Sequence, residues 1–112
     1  MDPSKLSALR KGLLEPLLLA IASSEKVYVA DIVERLSATD FAAKEGTLYP
    51  LLSRMRRENL LDYEWRESAS GPPRKYYGIT ESGRQQLAVV RAYLTSITTL
   101  MDELRNENAP SR

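Results

Sequence analysis

A change of hydrophobic period near the middle of the chain constrains its fold most. Leu61, Tyr63 and Trp65 alternate with Asp62, Glu64 and Arg66, the pattern of a strand with one face covered. Ser68-Ala69-Ser70-Gly71-Pro72-Pro73 follows as a turn cluster, and Arg74-Lys75-Tyr76-Tyr77-Gly78-Ile79 reads as the returning strand. One hairpin is marginal in water, so these strands must lie on helices. The rest of the chain supplies them. The fold class expected is mainly α with a small β-hairpin.

Helical spacing is clear in four places. A first helix, capped by Ser4, is expected to about residue 22, with Leu6, Leu9, Leu13, Leu17 and Ala20 three or four apart. Its half after Pro16 is apolar nearly all round and should be buried. Pro16 should kink or break it, with Gly12 four residues back to absorb the distortion. A second helix, about 28–37, carries Val29, Ile32, Val33 and Leu36 on one stripe. A loop over 38–44 is placed to drop Phe41 into the core. A third helix, about 46–59, turns Leu48, Leu51, Leu52 and Met55 inward. Its opposite face then holds Gly46, Pro50, Ser53 and Arg57, with Tyr49 and Arg54 at the edges. Thr80 caps a last helix, with Glu81 in its first turn. Along that helix Leu87, Val90, Leu94, Ile97, Met101 and Leu104 step by three and four, the seam of a coiled coil. The ends, residues 1–4 and 107–112, read as frayed.

Composition removes several function classes. A chain of 112 residues has core for one domain. With 43% apolar and 28% charged residues it is not a disordered chain. There is no Cys and no His, which excludes disulfides, thiolate nucleophiles, the usual zinc sites and histidine acid–base chemistry. No tight acidic cluster appears either, so no catalytic residue, metal or cofactor is expected. The longest apolar run, Pro16 to Ala22, is too short for a membrane span. No cleavable leader is evident, and a cytoplasmic location is expected.

Helix, helix, helix, hairpin, helix is the order of a winged helix-turn-helix with a C-terminal extension. The boundaries expected are residues 1–80 for the winged unit and 81–108 for a dimerisation helix. In this architecture the third helix enters the DNA major groove and the hairpin tip, the wing, lies on the flanking backbone. Small or polar groups on the outer face of helix three would let bases approach, and cations at its margins would meet phosphates. The candidate DNA-binding residues are Thr47, Tyr49, Pro50, Ser53, Arg54, Arg57, Arg74 and Lys75. Between residues 44 and 75 there are seven Lys and Arg against five Asp and Glu. One copy should therefore bind weakly. The seam of the last helix offers the remedy. Burying Leu87, Val90, Leu94, Ile97, Met101 and Leu104 against a second copy, at about 1.5–3 kcal/mol each, would favour a homodimer. Its reading helices would then face half-sites roughly 34–36 Å apart, or a multiple of that.

Two stretches carry a family resemblance. Glu45-Gly46-Thr47-Leu48-Tyr49-Pro50-Leu51-Leu52-Ser53-Arg54 resembles the signature of the PadR family of bacterial transcriptional regulators. So does Gly71-Pro72-Pro73-Arg74-Lys75-Tyr76-Tyr77 with the following Ile79-Thr80-Glu81-Ser82-Gly83. The resemblance covers about residues 10–87. It implies a winged-helix homodimer that binds double-stranded operator DNA, palindromic in form, and represses transcription. The short last helix resembles the small-chain branch, whose dimers form through that helix and the first one. Carried over by position, Thr47, Tyr49, Pro50, Ser53 and Arg54 lie on or beside DNA, and Arg74 and Lys75 hold the wing to phosphate. Val27-Tyr28-Val29-Ala30 departs from a Gly-Tyr pair common in the family, and the change is expected to concern a local turn and not the DNA face. Multidrug-binding members stack a flat ligand on a Trp of the final helix. Here Tyr93 is the aromatic of that helix and the sole Trp, Trp65, is on the wing, where it and Tyr63 are expected to pack beneath the hairpin. A small hydrophobic or aromatic effector would have to sit at the dimer interface or between the first and last helices, near Leu13, Leu17, Tyr93 and Leu94. The competing reading is a winged-helix protein-interaction module without DNA binding; the cations at the wing tip and the acid-poor outer face of helix three argue against it.

Overall fold

The structure is a computed structural model that describes residues 3–107; the outermost parts of the expected frayed ends, residues 1–2 and 108–112, lie outside it. Six elements follow in order: α1 (Pro3–Ser24), α2 (Val29–Ser37), α3 (Glu45–Arg57), β1 (Leu61–Ser68), β2 (Gly71–Ile79) and α4 (Glu81–Glu107). Type and order agree with the periodicities.

α1 departs from expectation in three ways. It begins at Pro3, so Ser4 is its second residue and not its cap; proline's fixed φ suits a first helical position. It runs through Pro16 without a break. The lost hydrogen bond is outweighed because the following half is anchored by Leu18, Leu19 and Ala22, all buried. That anchor also corrects the stripe. Leu6 and Leu9 are exposed, Leu13 and Leu17 half-buried and Ala20 exposed. α1 is apolar on two sides. Leu18, Leu19 and Ala22, with Leu14 and Ile21 packed against them, form the core side, and the stripe picked by spacing forms the outer one.

α2 buries Val29, Ile32 and Leu36. Its first turn is closed by the Asp31 carboxylate, which accepts the Tyr28 N–H at 3.3 Å. Phe41 is half-buried against the core, as the loop pattern suggested. α3 buries Leu48, Leu52 and Met55 to 1% exposure or less. It ends in a left-handed residue, Asn59, at φ 62°. The N–H groups of Asn59 and Leu60 reach back to the carbonyls of Arg56 and Met55 at 3.1 and 2.9 Å, closing the helix as a Schellman motif.

β1 and β2 pair antiparallel, with Leu61 opposite Ile79, Tyr63 opposite Tyr77 and Trp65 opposite Lys75. β2 starts at Gly71, so the strands run almost to the tip and much of the turn cluster is itself strand. Val27 adds one bridge to β2: its N–H donates to the Tyr77 carbonyl at 3.0 Å and its carbonyl accepts the Tyr77 N–H at 2.6 Å. The hairpin is thus tied to the α1–α2 connection and not merely laid on the helices. Tyr77 is buried at the middle of this junction.

Thr80 fastens α4 to the end of α3. Its hydroxyl accepts the Gly83 N–H at 2.9 Å and donates to the Asn59 carbonyl at 2.6 Å; its N–H donates to the Leu60 carbonyl at 3.2 Å. Gly83 is a packing requirement here: a Cβ would run into the Leu60 carbonyl oxygen and lie 2.7 Å from Ile79. α4 contributes Leu87 to the core. Beyond it the helix leaves the body, and the molecule reaches 66 Å in its longest dimension.

Candidate nucleic-acid interface

α3 stands with its apolar stripe in the core, so its other side is free. Gly46, Thr47, Tyr49, Pro50, Ser53, Arg54, Arg56 and Arg57 are all exposed. The helical repeat sorts them into a middle and two flanks. Gly46, Pro50, Ser53 and Arg57 form the middle. Tyr49 and Arg56 face the hairpin, and Thr47 and Arg54 face α1.

On the hairpin flank, two hollows join α3 to the wing. One, of about 390 Å³, is lined by Tyr28, Glu45, Tyr49, Trp65, Arg74 and Lys75 among others. The other, of about 230 Å³, brings Ser53, Arg56 and Arg57 together with Tyr63 and Lys75. Five of the eight candidate residues, Tyr49, Ser53, Arg57, Arg74 and Lys75, therefore share this side. Thr47 does not. It lines a separate cleft with Arg10, Lys11 and Lys44.

Aromatic rings position the wing cations. Neighbouring strand residues point to opposite faces, so Arg74 and Lys75 diverge. Lys75 Nζ lies 4.5 Å from the Tyr63 ring centre and 5.5 Å from that of Trp65. Arg74 lies over Tyr28 at 4.7 Å. Arg66, directly opposite Arg74, lies over Tyr76 at 4.5 Å. Two like charges face to face would repel, but each guanidinium here rests on its own ring. Trp65 is therefore not packed beneath the hairpin as expected. It is 61% exposed and its ring meets Tyr63 edge-on and the Lys75 ammonium. The Tyr28 ring also lines this hollow, while Val27 beside it is buried.

Charge pairing divides the cations. Arg10 pairs with Asp40, Arg35 with Glu25, Lys26 and Arg66 with Glu64, and Arg54 with Glu15 and Glu58. Hydrogen bonds from Lys26, then Arg66, hold the Glu64 carboxyl below its usual pKa. By contrast Lys44, Arg56, Arg57, Arg74 and Lys75 have no ion-pair partner among the described residues. Burial, then the nearby Tyr49 and Tyr63, pushes the Tyr77 pKa up, so this ring stays neutral under the interface. Sequence reasoning omitted Lys44, Arg56, Tyr28 and Trp65 as site residues. The alternation within the hairpin carried a signal for one of them, since it sets Trp65 on the same face as Lys75.

Comparison with known proteins decides the lineage. The family described as "Transcriptional regulator PadR-like family" matches residues 18–89, from the buried half of α1 to the first turns of α4. The chain belongs to the PadR-like family. It is 39% identical to a PadR-like transcription factor from Bacteroides fragilis, over 92% of this chain and 99% of that one, with a TM-score of 0.79. A PadR family transcriptional regulator from Eggerthella lenta is 32% identical over 95% and 93% of the two chains, with a TM-score of 0.82. PadR of Bacillus subtilis, solved with operator DNA, shares the fold at 22% identity and a TM-score of 0.64, over 68% of this chain and 44% of that one. The winged-helix arrangement around α3 is thus that of PadR-like regulators.

Proposed function

We propose that this PadR-family chain binds double-stranded operator DNA through α3 and the wing and represses transcription as a homodimer. In this reading the described residues up to Thr80 form the DNA-binding unit and α4 (Glu81–Glu107) is the dimerisation helix. The observation that carries the reading is the set of cations without ion-pair partners. Lys44, Arg56, Arg57, Arg74 and Lys75 border an α3 face of Gly46, Pro50 and Ser53, and among the described residues no carboxylate neutralises them. Small side chains let the helix sit deep in a groove, and free cations meet the phosphates on either side. Nothing in this chemistry calls for catalysis, and the role is regulatory and cytoplasmic.

The dimer reading rests on α4. Leu94, Leu100, Met101 and Leu104 are 41–63% exposed, Leu6 and Leu9 of α1 are 38% and 57% exposed, and Leu9 shares a groove with Leu94. Exposed apolar surface of this extent supports an interface. A palindromic operator then matches the two-fold axis of the pair. Between α1 and α4 lies an apolar groove of about 420 Å³ lined by Leu9, Leu13, Pro16, Val90, Tyr93 and Leu94. A small hydrophobic or aromatic effector fits this groove, and its binding would release the operator.

Fluorescence anisotropy with random duplex DNA and with the DNA upstream of the protein's own gene tests the reading. Binding to both is expected at low salt, tighter for the upstream DNA, with log affinity falling linearly in log salt by about 0.9 for each phosphate contacted. Absence of any signal at low salt overturns it and favours a protein-docking module.

A further inference from the structure

Arg54 differs from every other cation on α3. Its Nη2 donates to Glu15 Oε2 of α1 at 2.5 Å, and its Nε lies 3.9 Å from Glu58. Arg57 has no ion-pair partner among the described residues and Arg56 lies 5.3 Å over the Tyr63 ring. The α1 flank of α3 therefore places one guanidinium between two carboxylates. A phosphate approaching Arg54 itself meets a guanidinium already held by two carboxylates, although Lys11 and Lys44 line the cleft further along this flank, whereas on the hairpin flank it meets Arg56, Arg57 and Lys75.

We infer that Glu15 is an intramolecular rival of DNA phosphate for Arg54, a latch that keeps this arginine off the phosphates in the wild-type complex. The inference rests on the DNA-binding reading above. Three features support it. The pair bridges two helices 39 residues apart in sequence and is not an i,i+4 contact within one helix. The arginine side chain is 53% exposed and the glutamate 24% exposed, so the guanidinium is free to swing outward while the carboxylate stays behind. A guanidinium binds phosphate with the same two-pronged geometry as carboxylate, so an Arg54 freed from Glu15 can take a phosphate in its place. Glu15 also lines the groove between α1 and α4, so the latch is anchored next to the apolar surface assigned to dimerisation. Glu15 is a positioning residue: it acts only through Arg54.

The test is a double-mutant cycle read by anisotropy with random duplex DNA across a salt series, using the full chain. Glu15→Gln keeps the size of the side chain and removes its charge. It should tighten binding up to about fivefold, the range set by an exposed ion pair. It should also steepen the salt slope by about 0.9 for each chain, as one more phosphate is contacted. Glu15→Asp, which keeps the charge, should stay near wild type. In an Arg54→Gln background the Glu15→Gln gain should vanish. A gain of equal size in that background would reflect overall charge and overturn the latch. So would an unchanged slope, or weaker binding by Glu15→Gln with its circular dichroism intact. Should Glu15→Gln not fold, Arg54→Gln alone decides: wild-type slope and near-wild-type affinity support the latch, and a slope lower by about 0.9 in a folded protein overturns it, because Arg54 would already be on phosphate. If wild type binds no duplex at all, the DNA reading itself fails and the latch with it; if wild type binds and only these differences are missing, the latch alone fails.

Discussion

α3 and α4 carry the same kind of apolar stripe and treat it in opposite ways. On α3, Leu48, Leu52 and Met55 are at most 1% exposed. On α4 the seam starts buried at Leu87 and then opens: Val90 and Ile97 are half-buried, and Leu94, Met101 and Leu104 are exposed. The spacing of residues states that a face must leave water; it does not state what covers it. For α3 the cover is within the chain, from α1, α2 and the hairpin. For α4 beyond Leu87 the chain supplies only the outer stripe of α1 along part of the helix.

The largest effect that tests this contrast is on the α3 side. Leu52→Ala should lower unfolding stability by about 2–5 kcal/mol, because the buried site leaves a cavity that the packed neighbours cannot fill. Chemical denaturation measures it. The same substitution at Met101, exposed at 63% in one chain, should cost the isolated fold little. A large, concentration-independent loss at Met101 would show that the two stripes are not different in kind.

Next comes the association itself. Leu94→Glu puts a charge in the middle of the open seam, and a charge inside an apolar interface is strongly disfavoured. Light scattering should report a single chain where wild type reports two, with the helical circular dichroism largely kept. An unchanged dimer would remove α4 from the interface and leave its seam without a partner.

The junction between the two helices gives a smaller effect. Thr80→Ala removes the hydroxyl that caps α4 at Gly83 and grips the Asn59 carbonyl at the end of α3. A loss of about 1 kcal/mol is expected. Thr80→Ser keeps the oxygen and should restore most of it. If serine fails as alanine does, the methyl group and not the cap holds the two helices together.

The sequence disclosed the order of elements, the inward stripes of α2 and α3, the two strands of the hairpin and the Thr80 cap, because each of these is local or periodic. It misled on α1. That helix is apolar on two sides, and spacing alone cannot tell the side that meets the core from the side that meets α4. Trp65 was misplaced for a related reason. Alternation set its face correctly, but whether that face is covered at Trp65 is a tertiary fact. Of the candidate site, Tyr49, Ser53, Arg57, Arg74 and Lys75 fall together because helix and strand periods fix them. Arg54 and Arg57 were both candidates in the sequence, one at the edge of the outer face and one on it; a carboxylate 39 residues away further separates them.

The smallest effect expected is on the outer face of the hairpin. Lys26 and Arg66 both donate to Glu64 and lower its pKa, and the carboxylate is open to solvent. A carboxyl whose pKa is lower in the folded than in the unfolded chain adds stability above its unfolded value, and that contribution is lost as pH falls through the folded value. Stability of wild type should therefore decline slightly more steeply than that of Glu64→Gln as pH drops through and below the ordinary carboxylate range. High salt should shrink the difference, because exposed pairs are screened. Thermal melts at a series of pH values measure it. Parallel curves for the two proteins would mean that the hairpin is held by the Val27–Tyr77 backbone rung and its aromatic faces alone. In that case the charges around Glu64 would keep the wing from binding phosphate on that face without adding to the fold.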